Sequence, residues 1–143
     1  MNGLKQFSRC LSFTLGFILL TVASCKDSFD SSIPYVRVNF TINLVNNNDL
    51  TVPGNLLVFP AGYGGVIVMN IATGYVAFDA ACPYEVDPAV RVEPDASGRA
   101  VCPSCASQFN LWMGGSKEGS GPAKEPLKPY NVSQSGNMLI VTN

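Results

Sequence analysis

The chain contains no histidine. That excludes a serine–histidine triad, the usual cysteine–histidine pair and every metal site built on imidazole. Charge is also scarce. Only 13% of the residues are charged, nine basic against ten acidic. No run of lysine and arginine exists, so the electrostatic footprint that nucleic-acid binding requires is missing. Gly114-Gly115-Ser116-Lys117 lacks the Gly-Lys-Ser/Thr order of a phosphate-binding loop, and Gly62-Tyr63-Gly64-Gly65 is not a dinucleotide fingerprint. Both read as turns. The acids are scattered, with no pair at a general acid/base spacing. No stretch shows sustained helical periodicity with caps, and no internal repeat is present.

The N-terminus does carry a pattern. Lys5 and Arg9 precede an apolar run, Leu11 to Val22, rich in Leu and Phe. These are the charged and apolar regions of a signal peptide. The run is short for a membrane span, which needs about 20 apolar residues. Small residues then lead to a cysteine, Val22-Ala23-Ser24-Cys25. The segment resembles the bacterial lipobox, which implies cleavage before Cys25 and acyl chains on its thiol. The following Lys26-Asp27 is similar to the surface-export signal of Bacteroidetes lipoproteins. The expected organisation is therefore a removed signal peptide (1–24), a lipidated cysteine with a polar tether (25–34) and one domain (35–143). The expected location is the cell envelope outside the cytoplasm, lipid-anchored, at the outer membrane and exposed on its surface. Cleavage removes two basic residues and no acid, leaving seven against ten, a net charge of −3.

The remainder alternates between short apolar runs and turn residues. From Tyr35 to Val45, Val36, Val38, Phe40, Ile42 and Leu44 alternate with polar residues, the period-two signature of a strand with one buried face. Leu56–Phe59 is a second run. Gly65–Ile71 and Tyr75–Asp79 flank Ala72-Thr73-Gly74 and predict a hairpin. Val90–Glu93 and Arg99–Cys102 flank residues 94–98, a second hairpin. Phe109–Trp112 continues the pattern. Leu127–Val132 and Met138–Val141 flank residues 133–137, a third. Residues 114–126, rich in Gly, Ser, Lys and Pro, predict a loop. The fold class is all-β, an antiparallel sandwich or small barrel.

With histidine absent, the remaining chemistry is sulfur. Cys82 and the pair Cys102 and Cys105 lie on two loops that close strands, Ala81-Cys82-Pro83-Tyr84 and Val101-Cys102-Pro103-Ser104-Cys105. This arrangement resembles the Rieske iron–sulfur domain, which carries C-x-H on one loop and C-x-x-H on another. Cys82 and Cys102 match the cysteine ligands, Tyr84 stands at the first histidine and Cys105 at the second. Tyr75–Asp79, Ser107, Phe109, Gly121-Pro122-Ala123, Leu127, Tyr130 and the last hairpin extend the resemblance over roughly residues 36–142. It implies a Rieske-like fold with the two cysteine loops side by side. It implies a two-iron, two-sulfur cluster and electron transfer with an envelope protein or redox partner. Both histidines are absent, however, so the family's Cys2His2 cluster cannot form. The cysteines that make a loop-to-loop disulfide in some members are replaced by Asp87 and Ser104.

The residues leave several readings open. Cys82, Cys102 and Cys105 hold an iron–sulfur cluster with Tyr84 or an outside ligand as the fourth. Alternatively they hold a structural zinc. Or no metal is bound, and two of the three cysteines form a disulfide in the oxidising compartment that export implies. In that case the scaffold serves as a binding or structural module, with Tyr84 and Trp112 as its exposed contacts, or as a thiol redox protein through the C-x-x-C spacing. No enzymatic activity is expected.

Overall fold

The alternating run that begins at Tyr35 forms a strand over its second half only. β1 (Asn39–Asn43) turns Ile42 into the interior, and Val38 and Leu44 flank it, also buried. The first half lies outside the ladder. There the terminal Asn143 side chain substitutes for a neighbouring strand: its amide donates to Val36 O (2.6 Å) and its carbonyl accepts from Val38 N (3.1 Å). The computed structural model describes residues 30–143. The expected signal peptide, Cys25 and residues 26–29 of the expected tether lie outside the described residues.

Nine further strands follow: β2 (Leu56–Phe59), β3 (Val66–Asn70), β4 (Tyr75–Asp79), β5 (Glu93–Pro94), β6 (Arg99–Val101), β7 (Gln108–Asn110), β8 (Ser116–Glu118), β9 (Pro129–Ser135) and β10 (Met138–Thr142). One 3-10 turn, Asn48–Thr51, follows β1. Six strands form an antiparallel sheet in the order β1-β10-β9-β4-β3-β2, and four form a smaller one in the order β5-β6-β7-β8. Among the described residues no helix is long and apolar enough to cross a membrane.

β3 explains how the two sheets cohere. Its sequence Val-Ile-Val-Met-Asn does not alternate in polarity, and all five residues are buried. A strand covered on both faces has no need of a polar face. Ile67 and Met69 join one core, with Phe78, Ala100, Phe109, Leu111 and Leu127. Val66 and Val68 join another, with Ile42, Ala77, Leu139 and Val141. Cys82 and Cys102 belong to the first core, so the cysteine loops are rooted in packed apolar side chains.

One expectation, that of a continuous loop after β7, is corrected. The stretch 114–126 is not all loop, because β8 pairs with β7 in the register Phe109↔Lys117. Ser-Lys-Glu offers no apolar face, so periodicity could not reveal it; the ladder to β7 supplies its stability. The packed body also starts before Tyr35, at Ser31. Ile33 is buried, Lys128 Nζ donates to the carbonyls of Ile33 (3.1 Å) and Pro34 (3.0 Å), and Ser32 bonds Glu125 through its amide (2.9 Å) and hydroxyl (2.7 Å). The last residues of the expected tether thus lie on the domain surface.

Candidate metal centre

The loop after β4 and the loop after β6 meet. The Sγ atoms of Cys82, Cys102 and Cys105 all lie within 4.8 Å of one another. Cys82 Sγ and Cys105 Sγ are 3.6 Å apart, and no disulfide joins the three. Two thiolates on one tetrahedral ion with metal–sulfur bonds of about 2.3 Å would stand roughly 3.8 Å apart. The spacing therefore suits three thiolates converging on one point.

The two loops share a backbone design. Each opens with Cys-Pro, where the proline fixes φ and removes a donor. Val86 N donates to Cys82 O (3.0 Å), and Ala106 N donates to Cys102 O (2.9 Å). Val86 and Ala106 both adopt the left-handed conformation, with φ of 52° and 57°. That region is unfavourable for residues with a Cβ, more so for β-branched valine. Ala106 is exposed, so its methyl group contributes little packing. Ala106→Gly is therefore expected to stabilise the domain by about 1 kcal/mol, seen as a higher thermal midpoint. A lower midpoint would mean that the loop does not keep this conformation.

The electrostatics differ among the thiols. Burial pushes the Cys82 thiol up to about 12. Backbone N–H groups of Glu85 and Tyr84 aimed at its sulfur offset only part of this, while the thiols of Cys102 and Cys105 add to it. Burial raises the Cys105 thiol as well. There the hydroxyl and amide of Ser107 and the neighbouring thiols of Cys102 and Cys82 outweigh it, leaving Cys105 below the usual thiol range. Cys105 Sγ lies 3.1 Å from Ser107 Oγ, which also accepts from Ala123 N (3.1 Å). That contact brings Gly121-Pro122-Ala123 down over the site. Any side chain on Gly121 would collide with the Ser107 backbone.

Tyr84 is 54% exposed and lines an open hollow of about 300 Å³ with Pro83, Val86, Pro122 and Lys124. Trp112 is half-exposed, and its indole N–H donates to Ser97 O (2.9 Å), latching the β5–β6 hairpin.

The acids were not singled out in sequence, yet one of them organises the site. Asp79, at the end of β4, is fully buried. Its Oδ1 accepts from Gly64 N (2.9 Å) and Ala81 N (2.8 Å), its Oδ2 from Tyr63 N (2.8 Å) and Tyr130 Oη (2.6 Å). Burial and the Asp79 carboxylate push the Tyr130 hydroxyl well above its ordinary range, so it stays a donor. Tyr63 in turn donates its hydroxyl to Val86 O (3.0 Å) and props the first cysteine loop. The only sequence signal was an acid at the end of an otherwise apolar strand, Tyr-Val-Ala-Phe-Asp. Glu85, which no sequence spacing marks, accepts from Ser104 Oγ of the other loop (2.9 Å).

The donor set does not fit the Rieske cluster. That cluster needs an imidazole pair on its second iron. The chain has no histidine, and Cys105, at the second histidine position, packs toward Cys82 and Cys102 instead of standing apart as a second pole. The set does fit a thiolate-bound metal, because soft sulfur donors select zinc, iron and monovalent copper.

No family model matches the chain, and no curated protein does. Solved structures do. A plasma-membrane Rieske protein from the cyanobacterium Synechocystis aligns with 23% identity, covering 75% of this chain and 98% of that one, with a TM-score of 0.51. The ferredoxin of carbazole 1,9a-dioxygenase from Nocardioides aromaticivorans aligns with 19% identity, covering 75% of this chain and 97% of that one, with a TM-score of 0.49. With two antiparallel sheets and the two cysteine loops meeting at their ends, the chain has a Rieske-like fold.

Proposed function

We propose that this chain is a lipoprotein held outside the cytoplasm by acyl chains on Cys25. Its Rieske-like domain binds a metal through the thiolates of Cys82, Cys102 and Cys105 and carries electrons at the envelope surface. The observation behind this reading is the convergence of three sulfurs within 4.8 Å on two stiff, matched loops. Among the described residues no His, Asp or Glu atom joins the three sulfurs within 4.8 Å, which leaves metal binding as the chemistry the arrangement favours. Electron transfer needs only a redox-active ion in a fixed donor set, and thiolates hold iron in that way. The anchor fits such a role, because a tethered carrier meets membrane partners at high effective concentration.

The test is a native mass spectrum of the full chain, purified in detergent without oxygen or added reductant. The expected result is extra mass matching iron, with visible absorption that bleaches on reduction; a zinc adduct would keep the three-thiolate metal site but end the electron-carrying role. A bare chain with all thiols reduced would sink the proposal. A second reading is favoured by one distance. Cys82 Sγ and Cys105 Sγ are 3.6 Å apart, which must shrink to about 2.05 Å to form a disulfide. A bare chain two hydrogens lighter would support that metal-free reading, in which the scaffold serves as a binding module.

A further inference from the structure

The two cysteine loops correspond position by position in sequence and close with the same backbone geometry. Cys82 and Cys102 open them. Val86 and Ala106, four places on, close them with the same backbone hydrogen bond and the same left-handed φ. Between these, Pro83 matches Pro103, Tyr84 matches Ser104 and Glu85 matches Cys105. In the second loop the first and fourth residues both deliver sulfur to the cluster. In the first loop the first residue does so, and the fourth is a glutamate. Its carboxylate is already turned toward the opposite loop tip, where Oε1 accepts from Ser104 Oγ at 2.9 Å.

We propose that Glu85 is the fourth donor of a single-ion centre, three thiolates and one carboxylate around a divalent zinc or iron. The proposal rests on the reading that the three thiolates bind metal. The argument is one of matched loops and coordination number. Structural zinc almost always takes four protein ligands, and carboxylate oxygen is an accepted one at about 2.0–2.2 Å. Among the described residues no further His, Cys, Asp or Glu atom joins the three sulfurs within 4.8 Å, so the fourth donor must move in. Glu85 does this by giving up a single hydrogen bond to a serine hydroxyl. The counterpart of Tyr84 is Ser104, which supplies no sulfur, so the loop correspondence selects Glu85 over Tyr84.

Cobalt(II) is the probe, added to the reduced full chain in detergent and then displaced by zinc. The unmodified chain is expected to bind one ion with the visible bands of tetrahedral cobalt. Glu85→Gln is expected to weaken zinc binding at least tenfold. Glu85→Cys adds a fourth thiolate, and the sulfur-to-cobalt charge-transfer absorption should rise by about a third if the site is one four-ligand ion. Ser104→Ala removes only the competing hydrogen bond, so affinity should hold or rise. A fall in Ser104→Ala equal to that in Glu85→Gln would mean that Glu85 merely braces the loops, which overturns the proposal. Unchanged affinity and spectrum in Glu85→Gln would also overturn it while leaving the three-thiolate site standing. Failure of the unmodified chain to take up cobalt or zinc would overturn both.

Discussion

Cys102→Ser is expected to abolish metal binding, lowering zinc affinity by more than about a hundredfold, beyond the ten- to hundredfold typical of losing a partner outside the ligand shell. The three sulfurs are not equivalent in their surroundings. Cys105 lies partly exposed at the loop tip, whereas Cys102 is fully buried in the core that contains Ala100 and Phe109. Its position is set by the fold, through Cys102 N donating to Ser107 O (2.9 Å) and Ala106 N donating to its own carbonyl (2.9 Å). A serine there offers a poor ligand and also buries a hydroxyl in apolar surroundings, a cost of roughly 1–3 kcal/mol. Cys102→Ala separates the two effects, since it removes the ligand without burying a polar group. Both variants leave Cys82 and Cys105 facing each other at 3.6 Å. In air both should therefore close a loop-to-loop disulfide and lose two hydrogens in the mass spectrum. Zinc competition and non-reducing mass measurement check the two arms. Wild-type affinity in Cys102→Ala would end the three-thiolate reading.

The sequence made the cysteine loops legible because Cys-Pro at strand ends is a covalent and backbone signal that tertiary context cannot erase. Strand existence was legible because β1 alternates apolar with polar residues, while β3 and β4 are short apolar runs bounded by turn residues. Three features were not legible. β8 has no apolar face, and its pairing with β7 is purely a backbone ladder. The docking of Ile33 depends on Lys128 and Glu125, far along the chain, so a polar stretch ahead of it read as free tether. The third feature was the carboxylates. Apart from the local bond from Ala81 N, Asp79 and Glu85 act through contacts with residues 15 to 51 positions away, and no local spacing rule reports such partners. The mirror relation between the loops was hidden as well. It becomes visible only when Val86 and Ala106 are seen in the same left-handed conformation, since neither residue type advertises it.

Asp79→Asn is expected to destabilise the domain by about 3 kcal/mol, measured as a lower midpoint in chemical denaturation. The reasoning is an inventory of donors. Three backbone N–H groups and one phenol converge on the two oxygens of a fully buried side chain. An asparagine has one acceptor oxygen and brings two donors of its own. Its oxygen can serve Gly64 and Ala81, and Tyr130 can reverse its hydroxyl to accept from the amide. The Tyr63 N–H is then left facing a donor. Asp79→Ala leaves all four donors without their partner and should cost more, enough to approach the whole stability of a marginal domain, about 5–15 kcal/mol. Tyr130→Phe removes one donor and keeps the other three bonds, so its loss should be the smallest of the series. The same order should appear in metal affinity, because Ala81 is the residue before Cys82 and Tyr63 supports Val86 at the end of that loop. A loss below about 1 kcal/mol in Asp79→Asn would mean that the apolar core alone fixes the first cysteine loop. The predicted order, with stability and zinc affinity falling together, instead makes a carboxylate outside the metal's ligand shell the anchor of one half of the sulfur site.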